Sequence, residues 1–191
     1  MDAPKYVLET NEAVLIPQKL SKAEETISKV VGVILGAILG ASLLFRENLL
    51  REFHWTTLCL LVCLVVAILL SREKKEMVAS PVELRFYDEY MVLYRPKRYY
   101  TKKVTRREVN TMKYSDITKC LYKKDVHRIH FYSTVDAKWY NFDYDGTVGD
   151  VPDYDRVVED TLLYIDTACA DAESIIKEIE AHSPIKVEIE G

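Results

Sequence analysis

Val30-Val31-Gly32-Val33-Ile34-Leu35-Gly36-Ala37-Ile38-Leu39-Gly40-Ala41-Ser42-Leu43-Leu44-Phe45 is a run of sixteen uncharged residues, and Trp55 to Leu70 is a second run of equal length. Nine residues, 46–54, separate them. Two such runs joined by a short charged connection predict a membrane helical hairpin. Sixteen residues rise roughly 24 Å as helix, so flanking Ile27, Leu49 and Leu50 must help to reach across a bilayer. A buried pair of helices in a soluble bundle is the alternative, but such helices normally carry a polar face. A cleaved leader is a poor reading, because Glu24 and Glu25 accompany the lysines ahead of the first run.

Working outward, Lys19, Lys22, Lys29, Arg72, Lys74 and Lys75 flank the outer ends of the two runs, against Arg46 and Arg51 in the connection. This bias predicts a multi-pass plasma-membrane protein with both termini in the cytoplasm. Three parts follow: an extended segment and helix start over 1–26, the hairpin over 27–71, and a cytoplasmic domain over 72–191. Gly32, Gly36 and Gly40 recur at four-residue spacing and so share a helix face, as do Cys59, Cys63 and Ala67. Small residues let helix backbones approach closely. The stripes predict packing either within one hairpin or between two copies as a homodimer.

Beyond Ser71 the period changes to two. Val82, Leu84 and Phe86 alternate with Glu83, Arg85 and Tyr87, the pattern of a half-buried strand. Further strands are predicted at Tyr90–Tyr94, Arg107–Tyr114, Ile117–Tyr122, Arg128–Ser133, Lys138–Asp143 and Leu162–Ala168, with 143–160 as a loop. Upstream, Lys5 to Pro17 reads as one or two short extended pieces, with Tyr6-Val7-Leu8 and Ala13-Val14-Leu15-Ile16 as the apolar positions and Thr10-Asn11 offering a turn between them. Asp171 is positioned to cap a helix whose Ala172, Ile175, Ile176 and Ile179 share a face. Ile185, Val187 and Ile189 alternate once more. The expected fold is a membrane α-helical hairpin plus an α+β or mainly β domain, with a pleckstrin-homology-like bent antiparallel sheet or barrel plugged by a C-terminal helix.

The order of parts, with Lys5-Tyr6-Val7-Leu8, the hairpin, Phe86-Tyr87-Asp88-Glu89 and Lys113-Tyr114-Ser115-Asp116-Ile117, resembles the bacterial YcxB-like membrane proteins. The resemblance implies two membrane helices and a small cytoplasmic β domain. It brings no activity and no catalytic residues. The basic stretch after Arg95 and the acidic stretch after Asp143 depart from it.

Charge is unevenly spread. Residues 72–138 hold 17 Lys/Arg against 9 Asp/Glu, and residues 139–191 hold 3 against 14. Arg95, Lys97, Arg98, Lys102, Lys103, Arg106 and Arg107 fall within thirteen positions without an acid among them. Beside a bilayer such a run is expected to bind anionic lipid headgroups, each charge contributing roughly 1 kcal/mol. A solvated charged hairpin that pairs with nothing specific, or with the protein's own acidic loop, is the bland alternative. The acidic neighbour disfavours nucleic acid. The acids at 143, 145, 150, 153, 155, 159 and 160 lack the ligand spacing of a calcium loop, so no metal is expected.

No cofactor motif or nucleophile motif is present. Four cysteines without a CxxC argue against a disulfide framework. His127 and His130 lack a partner by spacing. The sequence reading is therefore a non-enzymatic, membrane-anchored interaction or sensing module that contacts anionic lipid, a protein partner, or both. A structural subunit of a larger membrane complex is the alternative.

Overall fold

The computed structural model describes residues 3–17, 22–44, 62–63, 65–66, 75–101 and 104–191. The chain divides into two compact units, Met1–Ile16 with Met77–Gly191, and Pro17–Glu76. In the second unit the first apolar run forms most of helix α1 (Lys22–Leu44). Lys22, Glu24, Glu25 and Lys29 occupy its opening turns, and Lys29 Nζ donates to Glu25 at 2.7 Å. The uncharged remainder rises only about 22 Å, short of the roughly 30 Å hydrocarbon core.

Among the described residues no helix is long and apolar enough to cross a membrane. Of the second run only 62–63 and 65–66 are described. The expected transmembrane hairpin is thus corrected, and the multi-pass plasma-membrane placement with cytoplasmic termini, inferred from that hairpin, falls with it. Among the described residues, a side chain added at Gly32 or Gly36 would meet no atom within 4 Å. Cys59 and Ala67 lie outside the described residues, Gly40 lies in α1, and Cys63 is half-buried.

The larger unit is a curled sheet of eight strands: β1 (Tyr6–Pro17), β2 (Lys75–Phe86), β3 (Tyr90–Thr101), β4 (Val104–Lys113), β5 (Lys119–Lys123), β6 (Arg128–Asn141), β7 (Tyr154–Asp166) and β8 (Val187–Glu190). Their order is β1-β2-β3-β4-β6-β5-β8, with β7 on β6. Fourteen-residue β6 is the hub. Its first half pairs with β5 from Lys119↔Tyr132 to Lys123↔Arg128, and its second half pairs with β4 from Arg106↔Asn141 to Thr111↔Asp136. Its other edge carries β7, Arg128↔Asp166 through Trp139↔Tyr154.

The core lies on the concave side of this sheet. Leu84, Phe86, Leu93, Met112, Phe131 and Ile165 are fully buried there. Helix α2 (Ala172–His182) adds Ile175 and Ile179. Asp171 caps it, its carboxylate accepting from the backbone N–H groups of Glu173 and Ser174. Asp171→Ala is expected to destabilise the unit by about 1 kcal/mol, read as a lower urea midpoint at unchanged slope. After α2 the chain returns as β8, parallel to β5 with Cys120↔Val187.

The pleckstrin-homology-like barrel closed by a terminal helix is therefore also corrected. The sheet stays open, because β6 divides one edge between β4 and β5 while β7 takes the other. β1 and β7 each pair with a single strand, and α2 is followed by a strand. Three element boundaries differ for related reasons. The two strands expected over 128–143 are one continuous β6, and β7 begins inside the expected acidic loop, at Tyr154. Of the one or two N-terminal pieces expected, the structure forms one, β1, without a turn at Thr10-Asn11, and its Glu12 points inward beside Val14.

Candidate functional site

Strand β4 carries its polar residues inward. Arg106, Glu108, Asn110 and Met112 are buried, while Arg107, Val109 and Thr111 on the alternate face are half-buried. Across the ladder Arg95 pairs with Glu108 and Arg98 with Arg106. Arg95 and Arg98 are three residues apart, and three steps of a regular strand would set them on opposite faces. An extra residue on β3 between these pairs re-phases the strand. Pro96, which cannot donate to the ladder, sits at that bulge. Arg98 thereby joins Arg95 on the inner face.

The outcome is a buried ion network. Arg95 Nε and Nη2 donate to Glu12 Oε1 and Oε2 at 2.6 and 2.8 Å, a two-pronged pair from β3 to β1. Its Nη1 donates to Glu108 Oε2 at 3.2 Å, and Nη2 also reaches the Tyr164 carbonyl of β7 at 2.6 Å. Arg98 Nη1 donates to Glu108 at 3.3 Å and its Nε lies 3.6 Å from Glu12. Arg106 Nε donates to Glu108 Oε1. The Arg106 guanidinium lies between two aromatic faces, 3.7 Å from the Tyr100 centroid and 4.1 Å from that of Trp139. Trp139 in turn stacks on Tyr154 at 4.1 Å and donates to Asn110 at 3.2 Å.

Three guanidiniums thus meet two carboxylates. Burial alone would raise the Glu108 pKa, but Arg95, Arg98 and Arg106 outweigh it and hold the carboxyl below its ordinary value. Burial opposes charging of Arg98 as well, and Glu12 and Glu108 overcome it, so its pKa is raised.

Arg98 is the member of the network that also faces outward, into a groove of about 630 Å³. Ala13–Leu15 of β1, Arg98–Tyr100 of β3, the turn 125–128 and Tyr164 of β7 form its walls. The Tyr164 ring has Arg128 over it at 4.5 Å and Arg98 at 5.9 Å. Arg128 also donates to Asp166 at 3.1 Å. His127 holds a left-handed backbone, φ 52°, a region that favours glycine. Thr167 fastens it there, its N–H and hydroxyl donating to the His127 carbonyl at 2.7 and 2.9 Å.

Of the seven basic residues singled out in the sequence, Arg95 and Arg106 are buried in the network and unable to reach a flat surface. Arg98 links network and groove. Lys97 is exposed, 5.4 Å from the Phe142 centroid, and Arg107 lies 4.3 Å from that of Tyr140. Lys102 and Lys103 lie outside the described residues. The acids that hold Arg95 and Arg98 are Glu12 and Glu108, not the distal acidic stretch, whose Asp153 accepts from the Asn141 N–H and whose Asp155 faces Lys138. Sequence reasoning missed both glutamates. The available signals were an acid immediately before the apolar run Ala13–Ile16, and the single acid between Arg95 and Lys113.

Other reactive side chains are differently placed. Burial pushes the Cys120 thiol up to about 12, with Glu180 adding to the effect, so it stays protonated and unreactive. His130 is buried, with Nδ1 unpaired among the described residues, and burial together with Lys123 and Arg128 lowers its pKa. Among the described residues no three His, Cys, Asp or Glu side chains cluster as a metal site.

Comparison with protein-family models, with curated proteins and with solved structures returned no match.

Proposed function

We propose that this chain is a non-enzymatic binding module that takes an anionic group at the Arg98 groove. One observation carries the reading: among the described residues the inner network holds three guanidiniums on two carboxylates, and one of the three, Arg98, also lines the groove. An incoming phosphate or carboxylate would complete the count and meet the planar donors that suit it. Tyr164, with the guanidiniums of Arg98 and Arg128 both over its ring, gives that site a wall. An anionic lipid headgroup supplies such a group, as does a soluble phosphate.

The full chain is expected to float with vesicles of phosphatidylcholine plus phosphatidylglycerol and not with phosphatidylcholine alone. Arg98→Gln is expected to weaken that binding about fivefold, the effect of one charge near an anionic surface, while Arg98→Lys retains most of it. Equal flotation with neutral and acidic vesicles, or an unchanged Arg98→Gln, would sink the reading.

A further inference from the structure

We infer that the groove takes a single-chain anionic amphiphile, its headgroup at Arg98 and its hydrocarbon chain along the groove's rim. The inference rests on the anion site proposed above and adds the chain. The two ends of the groove differ in chemistry. At the inner end Arg98 and Tyr164 border the network, where Arg95, Arg98 and Arg106 outnumber Glu12 and Glu108. Around the mouth, Leu15, Met77, Tyr100 and Val126 are each between 43% and 56% exposed, and all four line the same groove. Scattered apolar side chains on a surface are ordinary; four lining one groove are a patch that a ligand would dry.

The volume of about 630 Å³ falls within the roughly 300–1,000 Å³ of small-molecule sites. The charges of the remaining wall set the polarity of the fit. Asp166 is occupied by Arg128, and Asp125 lines the groove from the turn at 125–128. An anionic head is thus favoured at Arg98 and disfavoured beside Asp125. His127 supports the same conclusion independently. A backbone position that suits glycine holds a ring-bearing side chain in the groove wall, fastened by two hydrogen bonds from Thr167. His127 is thus a fixed part of the groove wall, and its side chain can be removed without disturbing the turn.

The test uses the full chain with dodecyl phosphate below its micelle concentration, inorganic phosphate and dodecanol, measured by calorimetry. Dodecyl phosphate is expected to bind at least a hundredfold more tightly than either of the others. Arg98→Gln should weaken it about tenfold. The double substitution Leu15→Ser and Met77→Ser, at two half-exposed positions, should bring dodecyl phosphate close to inorganic phosphate. His127→Gly should weaken it while the melting temperature does not fall. Dodecyl phosphate no tighter than inorganic phosphate would overturn the chain and leave the anion site standing if Arg98→Gln still weakens acidic-vesicle binding. Dodecanol as tight as dodecyl phosphate would overturn the anion site and the inference with it.

Discussion

Glu108→Gln is expected to lower the unfolding free energy by about 3–5 kcal/mol, the usual consequence of removing one partner from a buried ion cluster. The substitution keeps size and shape, so the loss is electrostatic. It leaves Arg95, Arg98 and Arg106 with Glu12 as their only carboxylate in the network, and a buried guanidinium cannot escape by losing its proton. The pH dependence checks the mechanism. The Glu108 pKa is held below its ordinary value because three guanidiniums outweigh its burial. A depressed carboxyl contributes stability that is present above the ordinary glutamate range, about pH 4.3, and is lost as pH falls through the folded-state value. Urea unfolding of the wild type should therefore weaken below about pH 4.3, and the variant should show a shallower decline over the same interval. A variant that loses less than about 1 kcal/mol would mean that water reaches the network and screens it.

Phe86→Ala is expected to cost about 3–5 kcal/mol, the range for truncating a buried aromatic. Its side chain is fully buried, and its ring lies 6.1 Å from both Tyr6 of β1 and His182 of α2, which stack on each other at 3.6 Å. One side chain thus ties the first strand and the last helix to the middle of the sheet. The melting temperature should fall by roughly 6–20 °C. Amide exchange should accelerate in β1 and α2 together, since both lose the same contact. Acceleration confined to β2 would show that the first strand and the helix are held by something else.

Local patterning made individual strands legible. Val82, Leu84 and Phe86 are all buried in β2, as their alternation requires, and Asp171 caps α2 where it was expected. The Tyr114-Ser115-Asp116 stretch forms a single tight turn before Ile117. What patterning could not supply was the facing of a strand with two plausible faces. In β4 the apolar-looking set, Val109 and Thr111, is only half-buried, and the charged set, Arg106 and Glu108, is inside. Period two identifies a strand but is symmetric between its faces. The choice was made by partners far away in sequence: Glu12 lies 83 residues from Arg95, and Tyr164 lies 69 residues from it.

Hydropathy failed for a different reason. The length was to be made up by flanking Ile27, Leu49 and Leu50, but Ile27 lies among the charged opening turns of α1, and Leu49 and Leu50 lie outside the described residues. Composition recorded the excess of arginine in 95–107 correctly and assigned it to a surface. Tertiary structure placed Arg95 and Arg106 in the interior, because the curled sheet brings two glutamates to them, and an arginine is tolerated in a core only where carboxylates meet it. By itself, then, the sequence determined the strands, the capped helix and the presence of a strong local cation excess, all properties of neighbours along the chain. The inward face of β4, the bulge that brings Arg98 onto the inner face beside Arg95 and the groove lined by β1, β3 and β7 were decided only by the tertiary structure, since each depends on residues that the chain holds far apart.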